Sequence, residues 1–210
     1  MTRILIADDH AVVRRGLKQI LNEAFPFARL EEAMDTAELL KKVGEQEWDM
    51  VISDLSMPGE GVLEAVRLIR QNFPRLPVLV LSIYPEELYA VRSIKAGASG
   101  YLRKDAHPDE LLIAVRTVLS GKKYITATVA EKLASVVEKY GERAPHEILS
   151  DREFEILKLI ASGKSVSEIA ELFSLSVSTI STYRARILSK MNRKTNADLT
   201  LYAMENKLLE

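Results

Sequence analysis

Cysteine is absent from the 210 residues. That excludes disulfides, thiolate metal sites and a cysteine nucleophile, and it suits a reducing compartment. No apolar run approaches the roughly 20 residues that span a bilayer. The opening MTRILIADDH carries two acids where a secretory signal would be apolar. Aromatic residues make up only 6%, with a single tryptophan, and the formal net charge is −1. Any charge that serves nucleic-acid binding must therefore be local rather than global. These absences lead to the expectation of a soluble, cytoplasmic protein with no membrane partner. What is present, 47% hydrophobic and 28% charged positions, is the composition of a globular chain. Its length suits one large domain or two small ones.

Up to about residue 120 one rhythm repeats. Short aliphatic, β-branched runs (RILIA, ARLEEA, DMVISD, PVLVLS, SGYLRK) alternate with amphipathic stretches. The latter are VVRRGLKQILNEA, TAELLKKVGEQ, VLEAVRLIRQNF, EELYAVRSIKAG and PDELLIAVRTVLSG, each with apolar residues at spacings of three and four. Asp35 followed by Glu38 reads as a variant of the capping box, and Pro108 stands where a first helical turn tolerates proline. Five strands alternating with five helices predict an α/β fold: a five-stranded, doubly wound parallel sheet with right-handed crossovers.

The stretch GKKYITATVAEKLASVVEKYGERAP contains no strand pattern. It reads as a linker, 123–146, with one helix from about Thr128 to Lys139 and punctuation at Gly141 and Pro145. From 147 to 210 the pattern is wholly helical. Ser150 with Glu153, and Ser165 with Glu168, have capping-box spacing; Gly163 ends the first helix, SLS turns, a longer helix runs from Val177 to about Asn192, and Thr195 with Asp198 caps a fourth. Two short helices, a tight turn and a longer second helix predict a small all-α helix-turn-helix domain.

In a doubly wound sheet, ligands bind at the carboxyl ends of the strands. The first strand ends in Asp8 and Asp9, the third in Asp54, the fourth in Ser82, and Lys104 follows the fifth. One strand-end aspartate is usually a cap or a solvated group. Five such positions converging on one edge point to a site. Adjacent carboxylates repel unless a cation offsets them, and hard oxygen donors suit Mg²⁺. With a lysine and a hydroxyl to bond the transferred oxygens, the set suits phosphoryl transfer to a carboxylate, with Asp54 the acceptor. His10, beside the acids, is expected to cap or flank the first helix, since Mg²⁺ does not favour imidazole.

These residues resemble a known family. Residues 1–122 are similar to the flavodoxin-like receiver domain of two-component response regulators, and ADDHAVVRRGL is similar to the opening of the NarL/FixJ subfamily. The resemblance implies that Asp8 and Asp9 bind Mg²⁺ together with Asp54 and the backbone carbonyl of Ser56. It implies Asp54 as phosphoacceptor, Lys104 as its lysine, Ser82 as switch hydroxyl and Tyr101 as the aromatic switch, whose ring turns inward when that hydroxyl engages the phosphoryl group. It implies a sensor histidine kinase as donor and a homodimer on phosphorylation. One departure is the loop MPGEG, a residue shorter than the commoner MPxMxG.

LSDREFEILKLIASGKSVSEIAELFSLSVSTISTYRARILSKM is similar to the LuxR/NarL helix-turn-helix, which implies double-stranded promoter DNA as partner. The charge pattern stands beside that: no acid occurs from Leu172 to Ala197, while Arg184, Arg186, Lys190, Arg193 and Lys194 are basic. At about 100° per residue, Ile180, Tyr183, Ile187 and Met191 should face the core. Ser178, Ser181, Thr182, Ala185 and Ser189 should face a major groove, with Arg186 and Lys190 directed to phosphates.

Two rival readings are open. A phosphatase working through an aspartyl phosphate would need an acid two residues beyond its nucleophile, where Ser56 stands. A phosphorylation-independent binding module would be favoured by loss of an acid, the acceptor or the lysine, and all are present.

Overall fold

The computed structural model describes residues 1–58, 61–138 and 144–209. The chain divides into two compact units, Met1–Val136 and Val137–Glu210.

The first unit is a five-stranded parallel sheet of β1 (Arg3–Ala7), β2 (Arg29–Ala33), β3 (Met50–Asp54), β4 (Val78–Ser82) and β5 (Gly100–Arg103), in the order β2-β1-β3-β4-β5. Strands one, three, four and five are thus side by side, which brings together the ends that carry Asp8, Asp54, Ser82 and Lys104. Ile4, Leu5, Ile6, Val51, Ile52, Leu79 and Val80 are fully buried, the pattern of strands covered on both faces. On one face α1 (Ala11–Ala24) and α5 (Pro108–Leu119) pack Leu17, Leu21, Leu111 and Val115 against Ile4, Ile6 and Ile52. Residues of α2 (Thr36–Glu45), α3 (Val62–Asn72) and α4 (Glu86–Ala96) cover the other.

Local signals act as read, with one difference. Asp35 accepts from the backbone N–H of Glu38 at 2.7 Å, but the Glu38 carboxylate takes the N–H of Met34 rather than that of Asp35, so the reciprocal bond falls one residue earlier. Pro108 opens α5. Gly59 and Glu60 of the short MPGEG loop lie outside the described residues, as do Lys139 and Gly141.

The two sheet edges differ. On β2 the edge carries Glu31 and Glu32, charges that discourage pairing with another chain. The β5 edge is covered by the stretch read as linker. Tyr124 donates its N–H to the Ser99 carbonyl at 2.8 Å and forms a parallel bridge with Gly100, where an added Cβ would meet the Tyr124 backbone oxygen at 3.0 Å. Beyond it Thr126 donates to Glu86 at 2.7 Å, and Val129 of α6 (Ala127–Glu138) is buried. Residues 123–136 therefore fold with the sheet unit. Apolar periodicity alone could not reveal this, because the attachment begins with backbone bonding of Tyr124 to Ser99 and Gly100 and continues through contacts distant in sequence.

The second unit contains a 3₁₀ turn (Pro145–Ile148), α7 (Asp151–Ala161), α8 (Val166–Leu172), α9 (Val177–Lys190) and α10 (Asn196–Glu205). Complete capping boxes open α7, α8 and α10, each satisfying two otherwise orphaned N–H groups. Left-handed residues follow α7, α8 and α9: Gly163, Ser174 and Asn192. Phe154, Leu157, Ile169, Ile180, Ile187 and Leu199 form the core. Burying each isoleucine contributes about 1.5–3 kcal/mol.

Candidate functional site

At the carboxyl edge of the sheet the acids and the lysine converge. Asp8 follows β1, Asp54 ends β3, and Lys104 follows β5; both aspartates are almost fully buried. The Lys104 ammonium lies 2.7 Å from Asp8 Oδ2 and 2.9 Å from Asp54 Oδ2, so one cation bridges two carboxylates. Burial, reinforced by the charge of Asp8, raises the Asp54 carboxyl above its ordinary value despite Lys104 and the N–H of Ser56. Burial alone would lower Lys104, but its hydrogen bonds to Asp8 and Asp54 outweigh it and raise the ammonium.

Asp9 is more exposed and holds His10 Nδ1 at 2.7 Å. His10 does occupy the residue before α1, yet its side chain makes no capping bond; its backbone N–H donates instead to Asp8 Oδ1 at 2.8 Å. Ligand atoms of Asp8, Asp9, His10 and Asp54 all fall within 4.8 Å of one another. Three carboxylates against one ammonium, which bridges only Asp8 and Asp54, leave an excess of negative charge in a partly buried cluster of hard oxygens. That donor set fits a divalent cation such as Mg²⁺.

Ser82 and Tyr101 lie beside this cluster, both buried. Ser82 Oγ accepts the N–H of Tyr84 at 3.0 Å, and the Tyr101 hydroxyl donates to the Tyr84 carbonyl at 2.7 Å. Burial raises the Tyr101 hydroxyl well above the usual phenol value. Tyr84 also stacks on Tyr89, with centroids 4.8 Å apart. The β4–α4 connection is thus clamped at Tyr84 from both sides. Tyr84 was not legible as a partner because its backbone, not its side chain, makes both bonds.

In the second unit α9 presents Ser178, Ser181, Thr182, Ala185, Arg186 and Ser189 to solvent, while Ile180, Ile187 and Met191 are buried and Tyr183 is only half-buried. Thr182 donates its hydroxyl to the Ser178 carbonyl at 3.0 Å, which leaves that oxygen as an acceptor. Arg184 donates to Asn196 Oδ1 at 2.6 Å and so ties α9 to α10. Lys190, expected to be directed to a phosphate, makes an ion pair within the unit. Its ammonium sits 2.7 Å from Glu153, whose carboxylate is buried, because a buried charge requires a partner more than a solvated helix face does.

A parallel α/β sheet with an acidic carboxyl edge, followed by a helix-turn-helix unit, defines a DNA-binding response regulator. Residues 4–116 match the response regulator receiver domain, and residues 147–203 match the luxR family of bacterial regulatory proteins. The chain belongs to the response-regulator family, of the NarL/FixJ type, and is a phosphorylation-controlled transcription regulator. It is 40% identical over 215 residues to the oxygen regulatory protein NreC of Staphylococcus carnosus, covering 99% of both chains. It is similar to RcsB of Salmonella enterica serovar Typhimurium bound to promoter rprA with phosphomimetic BeF₃⁻, at 27% identity and a TM-score of 0.63, covering 96% of this chain and 98% of that one. A LuxR-family response regulator from Aurantimonas sp. SI85-9A1 matches at 33% identity and a TM-score of 0.59, covering 66% of this chain and all of that one. Among the described residues no helix is long and apolar enough to cross a membrane.

Proposed function

We propose that Asp54 accepts a phosphoryl group from the phosphohistidine of a sensor kinase, and that the chain then binds promoter DNA as a homodimer. An Asp54 oxygen forms the new bond to phosphorus as the bond to the histidine nitrogen breaks, its electron pair staying on the imidazole. Asp8, Asp9, Asp54 and the Ser56 carbonyl would hold Mg²⁺, which supplies charge neutralisation for the incoming phosphoryl oxygens. Lys104 is already placed between Asp8 and Asp54 and can turn to one of those oxygens. Ser82 and Tyr101 act as the switch pair, through Tyr84.

The observation that carries this reading is the ammonium bridge across two buried carboxylates at the end of the sheet. RcsB bound to a promoter with a phosphomimetic supports the DNA step. On α9, Ser178, Ser181, Thr182, Ala185 and Ser189 would face base edges, with Arg186 on a phosphate. Receiver, connecting segment and DNA-binding domain divide the work at about 1–122, 123–146 and 147–210. The role is that of a cytoplasmic regulator, not an enzyme.

The test is intact-mass spectrometry after incubation with acetyl phosphate. One phosphoryl group should be gained with Mg²⁺, none with EDTA and none in Asp54→Ala; labelling that persists in the variant removes the assignment.

A further inference from the structure

Arg14 is a buried arginine on the first turn of α1, away from the acids it serves in sequence. Its Nη1 donates to the backbone carbonyl of Asp8 at 2.7 Å, and its Nε donates to Glu32 Oε2 at 2.8 Å. Glu32 stands on the edge strand β2 and is held from the other side by Lys18 at 2.8 Å. These hydrogen bonds, Lys18 first, hold the Glu32 carboxyl below its ordinary value, so the anchor is ionised at neutral pH. The guanidinium thus joins β2, α1 and the turn that leaves β1.

We propose that Arg14 is a positioning residue for the cation site: it fixes the peptide of Asp8 so that the Asp8 carboxylate faces Asp54. The inference rests on the reading of Asp8 as a Mg²⁺ ligand. The Asp8 N–H donates to the Ala33 carbonyl at 3.1 Å, which holds the preceding peptide, whereas Arg14 bonds the carbonyl of the peptide that follows Asp8. His10 donates its N–H to Asp8 Oδ1, a bond that travels with the carboxylate and does not orient the peptide. A planar guanidinium can bond the Asp8 carbonyl and Glu32 together in fixed geometry, whereas a lysine ammonium has no such fork. Partners that orient a ligand commonly change metal affinity by about 10–100-fold when removed.

The sign of the effect separates positioning from charge. Arg14 is a cation near a cation site, so a purely electrostatic role predicts that its removal tightens Mg²⁺ binding. Positioning predicts the opposite.

The experiment is titration of the full-length protein with MgCl₂ alone, followed by backbone amide chemical shifts, with no phosphoryl donor present. Arg14→Met should weaken Mg²⁺ about tenfold. Lys18→Met, which touches Glu32 but not Asp8, should leave the affinity within about twofold of the wild type, below the effects typical of ligand-orienting partners. Arg14→Lys keeps the charge and should still weaken binding, so it decides the matter if Arg14→Met does not fold. Unchanged or tighter binding in the folded Arg14 variants overturns the proposal while leaving the cation site intact. A wild type that binds no Mg²⁺ overturns the cation-site reading itself, and the proposal with it.

Discussion

Lys190, near the end of α9, holds its ammonium 2.7 Å from the carboxylate of Glu153 at the start of α7. Glu153 is 3% exposed and also closes the capping box with Ser150, so one carboxylate fastens the beginning of α7 to the end of α9. Lys190→Met would leave that charge buried without its cation. Since Lys190 is partly exposed, a loss of about 1–3 kcal/mol is expected, below the roughly 3–5 kcal/mol for breaking a fully buried pair. Urea unfolding of the full chain should show it, and Glu153→Gln added to Lys190→Met should recover part of the loss. Equal losses in single and double variants would refute the pairing.

Acid should loosen the same unit. Burial raises the Glu153 carboxyl, but Lys190 and both bonds to Ser150 together outweigh it and hold it below the ordinary glutamate value of 4.5. A carboxyl lowered on folding contributes stability that is complete above its unfolded value and is lost as pH falls through the folded one. Stability of the helical unit should therefore decline below pH 4.5, and Glu153→Gln should flatten the decline. Far-UV circular dichroism during urea titration at pH 6 and pH 4 measures both slopes.

Lys104→Met removes the single ammonium between Asp8 and Asp54. Two buried like charges would then repel, costing about 3 kcal/mol by the measure of broken buried pairs. Thermal melts should show a lower transition for the sheet unit in EDTA, and added Mg²⁺ should restore most of it. A variant insensitive to Mg²⁺ would contradict the placement of the cation.

Arg186 is exposed on α9, and among the described residues no acid is paired with it. Arg186→Ala should weaken DNA binding of the phosphorylated protein about equally on all sequences and reduce the slope of log affinity against log salt by about 1. Thr182→Ala should instead alter preference among sequences, since it removes the free acceptor oxygen. Fluorescence anisotropy over a salt series, on two unrelated DNA duplexes, distinguishes the two.

The sequence by itself determined the five strands, the helices between them and the caps of the helical unit, because periodicity and capping are local and are written in neighbouring residues. It also placed Asp8, Asp54, Ser82 and Lys104 at one edge, since a parallel sheet brings all its strand ends to the same side. Tertiary structure decided which of these groups touch. The bond of Arg14 to Asp8, the anchor at Glu32 and the clamp on Tyr84 run to backbone atoms or cross between strands, and no spacing encodes them. Lys190 shows the same limit from the other direction. Its helical face was correctly read as exposed, but its partner lies 37 residues away, and only packing brought a buried carboxylate within reach of that ammonium.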